Sequence, residues 1–161
     1  MKMPWPPNLT ERAREVFARA HDLADRRGDA DLTPAHLALG LLEEGQNVAV
    51  YVLSARGVPL DALARELTAA LPAAGTPRAA PSVRRLTPDD EEFVARAERE
   101  ARDLDTPYYG AEHLLLALLR DCAGVPAQLL ARHGVGFEDA RANVRRVLLP
   151  PSDASATPPA G

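Results

Sequence analysis

The sequence predicts an all-α fold of about eight helices: one four-helix repeat used twice, the copies related by pseudo-twofold symmetry. Three observations predict it. The run Gly110-Ala-Glu-His-Leu-Leu-Leu-Ala-Leu-Leu119 is answered 77 positions earlier by Thr33-Pro-Ala-His-Leu-Ala-Leu-Gly-Leu-Leu42, with the histidine and four leucines in register. The same offset relates Thr10 to Thr87, Ala20 to Ala97, and Gly57-Val58 to Gly134-Val135; a duplicated helical unit is the simplest account of such regularity. Aromatic residues make up only 4% of the chain, and a composition rich in alanine and leucine favours helices over strands.

The first helix starts at Thr10, a residue suited to cap an N-terminus, with Glu11 placed to complement the helix dipole. Ala13, Val16, Phe17, Ala20, Leu23 and Ala24 follow at spacings of three and four, which is one apolar helical stripe. Gly28 ends it, because glycine adopts the left-handed conformation at low cost. Thr33-Pro34 opens the second helix with a cap and a proline in the first turn. This helix runs to about Glu43, is apolar nearly all round and is therefore expected at the centre. The third helix spans about Asn47 to Arg56, stopped by Gly57-Val58; the fourth runs from Leu60 to Leu71, ended by Pro72. The second copy repeats the order. Thr87-Pro88 opens a helix with the stripe Phe93, Val94, Ala97, Ala101 and Leu104. Gly110 opens the central helix, Gly124-Val125-Pro126 the next, and Phe137 to Leu148 form the last.

These elements divide the chain into an N-terminal arm (1–8) and a single domain (9–149), followed by a disordered tail (150–161). Within the domain lie repeat one (9–71), a proline-rich linker (72–85) and repeat two (86–149). At 161 residues roughly 70% of the unfolded surface can be buried, so no covalent staple is needed. The tail is too polar and proline-rich to bury much. Trp5 is expected to pack the arm on the body.

Composition narrows function by exclusion. The net charge of −4 gives no global attraction to nucleic acid or anionic membrane. The N-terminus has no apolar signal-peptide core, and no run reaches about 18 apolar residues, so a cytoplasmic location is expected. Lys2 is the only lysine and Cys122 the only cysteine; a P-loop lysine and an internal disulfide are both ruled out. Cys122, with nothing to lower its pKa, reads as a buried or half-buried structural thiol. His36 and His113 are repeat mates at helix starts; with too few convergent ligands for zinc, they read as hydrogen-bonding helix ends. Asp89-Asp90 and Glu91-Glu92 read as dipole complements. No catalytic residue, metal site or cofactor is expected.

The Leu-Thr start with its alanine spacing, the Gly-Ala-Glu-His-Leu run and the Gly-Val stop before an acidic helix resemble the N-terminal Clp repeat (Clp R) domain of Clp family AAA+ unfoldases. The resemblance covers both repeats, about residues 9 to 149, and implies the double Clp-N motif and a non-enzymatic role in docking adaptor or substrate proteins. It also implies a phosphoarginine pocket in each repeat, made by a threonine at the start of the first helix and a glutamate at the start of the central helix. Carried over by position, repeat two holds both, as Thr87 and Glu112. Repeat one holds Thr10 but has Ala35 in the glutamate position, and Ala35 cannot pair with guanidinium. A one-sided site is therefore expected.

The reading is a free-standing, monomeric protein-binding module of the Clp chaperone and protease system, its partners being adaptors, substrates or unfoldase and protease subunits. The alternatives are an N-terminal fragment of a Clp ATPase subunit, a small enzyme using His36, Glu112 and His113, and a dimeric helical scaffold unrelated to proteolysis.

Overall fold

The computed structural model describes residues 5–79 and 87–149. The expected tail, the end of the linker, Leu86 and the first four residues of the arm lie outside the described residues. Among the described residues there are eight helices and no strand. They are α1 (Glu11–Arg27), α2 (Pro34–Glu44), α3 (Val48–Ala55), α4 (Leu60–Ala69), α5 (Pro88–Asp103), α6 (Ala111–Arg120), α7 (Val125–Arg132) and α8 (Phe137–Leu148).

The polar signals act locally as their chemistry predicts. Thr10, Thr33, Asn47 and Thr87 each accept a hydrogen bond from the backbone N–H three residues on, which satisfies an otherwise orphaned helix-start donor. Gly57 and Gly134 adopt φ of 80° and 82°. Behind them, Val58 N–H donates to Leu53 O (3.0 Å) and Val135 N–H to Leu130 O (2.9 Å), the bond of a Schellman stop. The repeats differ at the end of their first helix. Where α1 stops at Gly28 with φ 77°, the equivalent residue after α5 is Asp105 with φ 61°, a conformation that aspartate tolerates better than most side chains.

The duplication appears in the packing. α2 touches α7 as α6 touches α3, and α3 touches α8 as α7 touches α4. At the pseudo-twofold axis α2 meets α6 directly. The two central helices are not equivalent in depth. Every residue of α6 from Ala111 to Leu119 is buried, whereas Leu39 and Leu42 of α2 are only partly so. α6 packs against α1, α2, α3, α5, α7 and α8, so it is the hub. Among the described residues no single helix is long and apolar enough to cross a membrane; α6 and α7 pass that test only together, across a 91° bend, and their leucines lie in the core.

Polar bonds also join the repeats. Arg56 donates to Asp139 (2.7 Å), His133 Nε2 lies 2.8 Å from Glu66, and His21 Nε2 lies 2.9 Å from both carboxylate oxygens of Asp90. The arm folds back so that the Trp5 and Phe17 rings sit 5.1 Å apart. The first linker residues lie along the end of α1: Arg78 donates to Asp25 (3.1 Å) and to the Asp29 carbonyl (2.6 Å). Thr76 backbone occupies the space a side chain at position 28 would need.

A composite cleft between the two repeats

The chain entering α1 and the chain entering α6 run side by side. Leu9 and Tyr109 form a parallel bridge; Thr10 N–H donates to Tyr109 O, and Tyr109 N–H to Asn8 O, both at 3.0 Å. Two helix starts from different repeats are thereby held against each other. Gly110 lies at the crossing. A Cβ there would fall 2.9 Å from Glu112 Oε1 and 3.0 Å from Thr10 Oγ1, so the absent side chain leaves both groups facing one space. That space is a surface cleft of about 440 Å³, lined by Thr10, Glu11, Arg12 and Glu112 on its polar side and by Val48, Tyr108 and Leu148 among its apolar residues.

Glu112 shares this cleft with Thr10 of repeat one, and Thr87, paired with it in the sequence reading, is not among the residues that line it. Thr87 is engaged elsewhere. Its hydroxyl accepts the Asp90 N–H (3.1 Å), Asp90 accepts the Thr87 N–H (3.0 Å), and the fully buried Asp90 meets His21. With Asp89 and Glu91 also in its first turn, the start of α5 already carries negative charge where a phosphate would have to sit. Ala35 is buried at the start of α2 and brings no charge. Asp90 is therefore more than a dipole complement. Its capping-box spacing, three residues after Thr87, is visible in the sequence; its bond to His21 depends on tertiary packing.

Glu112 is 5% exposed. Burial raises its carboxyl above the ordinary value, opposed in part by its own backbone N–H. Among the described residues no other residue donates a hydrogen bond to it. Its neighbour His113 Nδ1, 3.7 Å away, is not a cationic partner, since that nitrogen accepts the Gly110 N–H at 3.0 Å. The opposite nitrogen, Nε2, meets the Thr106 hydroxyl at 3.2 Å. Burial pushes the His113 imidazole down to about 4. At the rim Arg12 donates to Glu44 at 2.8 Å. Burial alone would raise the Glu44 carboxyl, but bonds from Asn47, Gln46 and Arg12 outweigh it and hold the group below its ordinary value. A helix N-terminus and a desolvated carboxylate thus share one opening, with the Arg12–Glu44 pair at its rim. Helix-start amides favour an anion, and a buried carboxylate favours a guanidinium.

The other candidates have structural work. His36 Nδ1 accepts the Thr33 N–H (2.9 Å), and its Nε2 meets Asp29 (2.7 Å); each central histidine closes the turn ahead of its own helix. Among the described residues no three His, Cys, Asp or Glu side chains converge as a metal site. Cys122 is exposed rather than buried or half-buried, because it falls in the turn after α6 has ended, beyond the apolar contacts of that helix.

The depressed His113 value carries a test. The unfolded imidazole takes up its proton near pH 6.5 and the folded one only near 4, so between those values the unfolded state holds more protons and stability falls as pH is lowered. We expect on the order of 3 kcal/mol to be lost across that window. His113→Gln retains an acceptor for the Gly110 N–H and should lose less between pH 7 and pH 4.5 in urea unfolding. Parallel losses in the two proteins would refute the assignment.

Crossed four-helix repeats around one buried hub place the molecule among all-α double-repeat domains. The chain belongs to the Clp repeat (R) N-terminal domain family, whose model matches residues 8–106 and 85–159. It is 33% identical over 140 residues to the negative regulator of genetic competence ClpC/MecB of Bacillus subtilis, and 32% identical to the chaperone protein ClpB of Oceanobacillus iheyensis. Each alignment covers 87% of this chain but only 17% of the relative. Among solved structures, the Hsp104 N-terminal domain from Candida albicans superposes with a TM-score of 0.67 at 16% identity, covering 88% of this chain and 92% of that one. The N-terminal domain of the ClpD chaperone from Arabidopsis thaliana gives 0.62 at 20%, covering 88% and 94%. At those identities the likeness is one of fold.

Proposed function

We propose that this domain is a non-catalytic protein-binding module of the Clp chaperone and protease system, docking adaptor or substrate proteins through the cleft between the start of α1 and the start of α6. Family membership supports the class of function. The observation that carries the site is Glu112: a carboxylate almost wholly removed from water, without a donor from any other described residue, facing an open cleft. Burying such a group is costly unless something pairs with it. A guanidinium on a visiting peptide would meet that need. A phosphate on the same side chain would lie against the amides of α1 and the Thr10 hydroxyl, with Arg12 at the rim. The phosphoarginine site is therefore assigned to Thr10 and Glu112, with the Thr87 and Ala35 positions degenerate.

Calorimetric titration tests this directly, using one peptide sequence carrying phosphoarginine, arginine or phosphoserine. Saturable binding that needs the guanidinium, strengthened by its phosphate, is the expected result. Failure of all three peptides to bind would remove the cleft from the account. The enzyme alternative has no comparable support, since both central histidines are committed to closing the turns ahead of their helices.

A further inference from the structure

We infer that the cleft also reads the residue beside the guanidinium-bearing one, and that its ligand is a linear peptide with a bulky apolar side chain next to that residue; this rests on the cleft reading above. Three elements supply the apolar wall: Val48 at the start of α3, Tyr108 in the segment before α6, and Leu148 at the end of α8, all lining the same opening as Thr10 and Glu112. Tyr108 is 42% exposed. Exposed Tyr51 follows Val48 by three residues and so shares its face of α3. Apolar side chains from three elements gathered round one opening mark a binding surface, whereas scattered exposure does not.

The charges select the occupant. Arg12 is taken up by Glu44, while Glu11 and Glu112 have no cationic partner among the described residues. The apolar wall thus continues from a polar floor that calls for a cation, and one extended chain with adjacent basic and apolar residues satisfies both. At about 440 Å³ the cleft falls within the roughly 300–1,000 Å³ range of sites that enclose ligands larger than a single side chain.

The experiment uses fluorescence anisotropy on the full 161-residue chain with two labelled phosphoarginine peptides, one with leucine and one with serine on both sides of the modified residue. The leucine-flanked peptide should bind about tenfold tighter or better. Tyr108→Ser and Val48→Ser should each shrink the ratio between the two affinities toward one; Tyr108→Phe should keep the discrimination. Circular dichroism melts establish that each variant is folded. Equal affinity of both peptides for the parent protein overturns this inference and leaves the Thr10 and Glu112 site standing. Loss of binding for both peptides in Tyr108→Ser would show a general rather than flank-specific role and would also overturn it. No binding of either peptide to the parent protein overturns both.

Discussion

A Glu112→Gln protein will bind a phosphoarginine peptide about a hundredfold more weakly than its parent and will nevertheless be more stable at neutral pH. The binding loss follows from removing one side of a desolvated charge pair, which costs about 2–5 kcal/mol; glutamine has nearly the same shape but cannot offer a guanidinium two charged oxygens. The stability gain follows from the same burial. The folded carboxyl has a raised pKa, so the unfolded chain ionises first and the folded state holds the extra proton. Stability of the parent therefore falls as pH rises above the ordinary value of 4.5 and levels off once the folded carboxyl has ionised. Glutamine has no such slope. Urea unfolding of both proteins at pH 4 and pH 7.5 should give similar midpoints at the lower pH and a higher midpoint for Glu112→Gln at the upper. Unchanged peptide affinity would contradict the binding role, and a neutral-pH midpoint below the parent's would contradict the burial argument.

Leu116→Ala will lower the unfolding free energy by roughly 3 kcal/mol, within the range measured for large-to-small changes in packed cores. Leu116 is fully buried on the one helix that touches six of the other seven. A cavity there is bordered by several elements at once, and no single one can move to fill it. Its repeat mate Leu39 is only partly buried, so Leu39→Ala should cost markedly less although the two residues hold the same place in the duplicated unit. Equal costs, or a cost under about 1 kcal/mol for Leu116, would mean that α6 is not the hub.

The inequality of α2 and α6 shows where sequence reasoning reached and where it stopped. Helix type and order were legible because Thr10, Thr33 and Thr87 cap, Gly57 and Gly134 stop, and the stripes between them are periodic; each signal acts within a few residues. The duplication was legible because offsets survive in the chain. A constant offset identifies equivalent residues, however, and says nothing about which residues are neighbours. Thr87 and Glu112 belong to one repeat, and the offset suggests one pocket for them. The bridge from Leu9 to Tyr109 lays the first helix start of repeat one beside the central helix start of repeat two, a neighbour relation that the offset does not contain. Likewise Asp90 reads from the sequence only as a dipole complement; its capping bonds with Thr87 follow a T-x-x-D spacing present in the chain, but His21 reaches it from 69 positions away. The repeats also differ at the start of their first helices: Asp90 fills the start of α5, whereas the equivalent position in α1 is Ala13; this supports the proposal of a one-sided site.

The measurement that tests the composite cleft most directly is phosphoarginine-peptide affinity for Thr10→Asp and Thr87→Asp, side by side. Aspartate caps a helix as well as threonine does, so both proteins should stay folded, and each gains one negative charge at a helix start. The account predicts that Thr10→Asp loses binding about tenfold or more while Thr87→Asp binds as the parent does, because only Thr10 faces the cleft of Glu112. Loss in Thr87→Asp with retention in Thr10→Asp would contradict it and return the site to a single repeat.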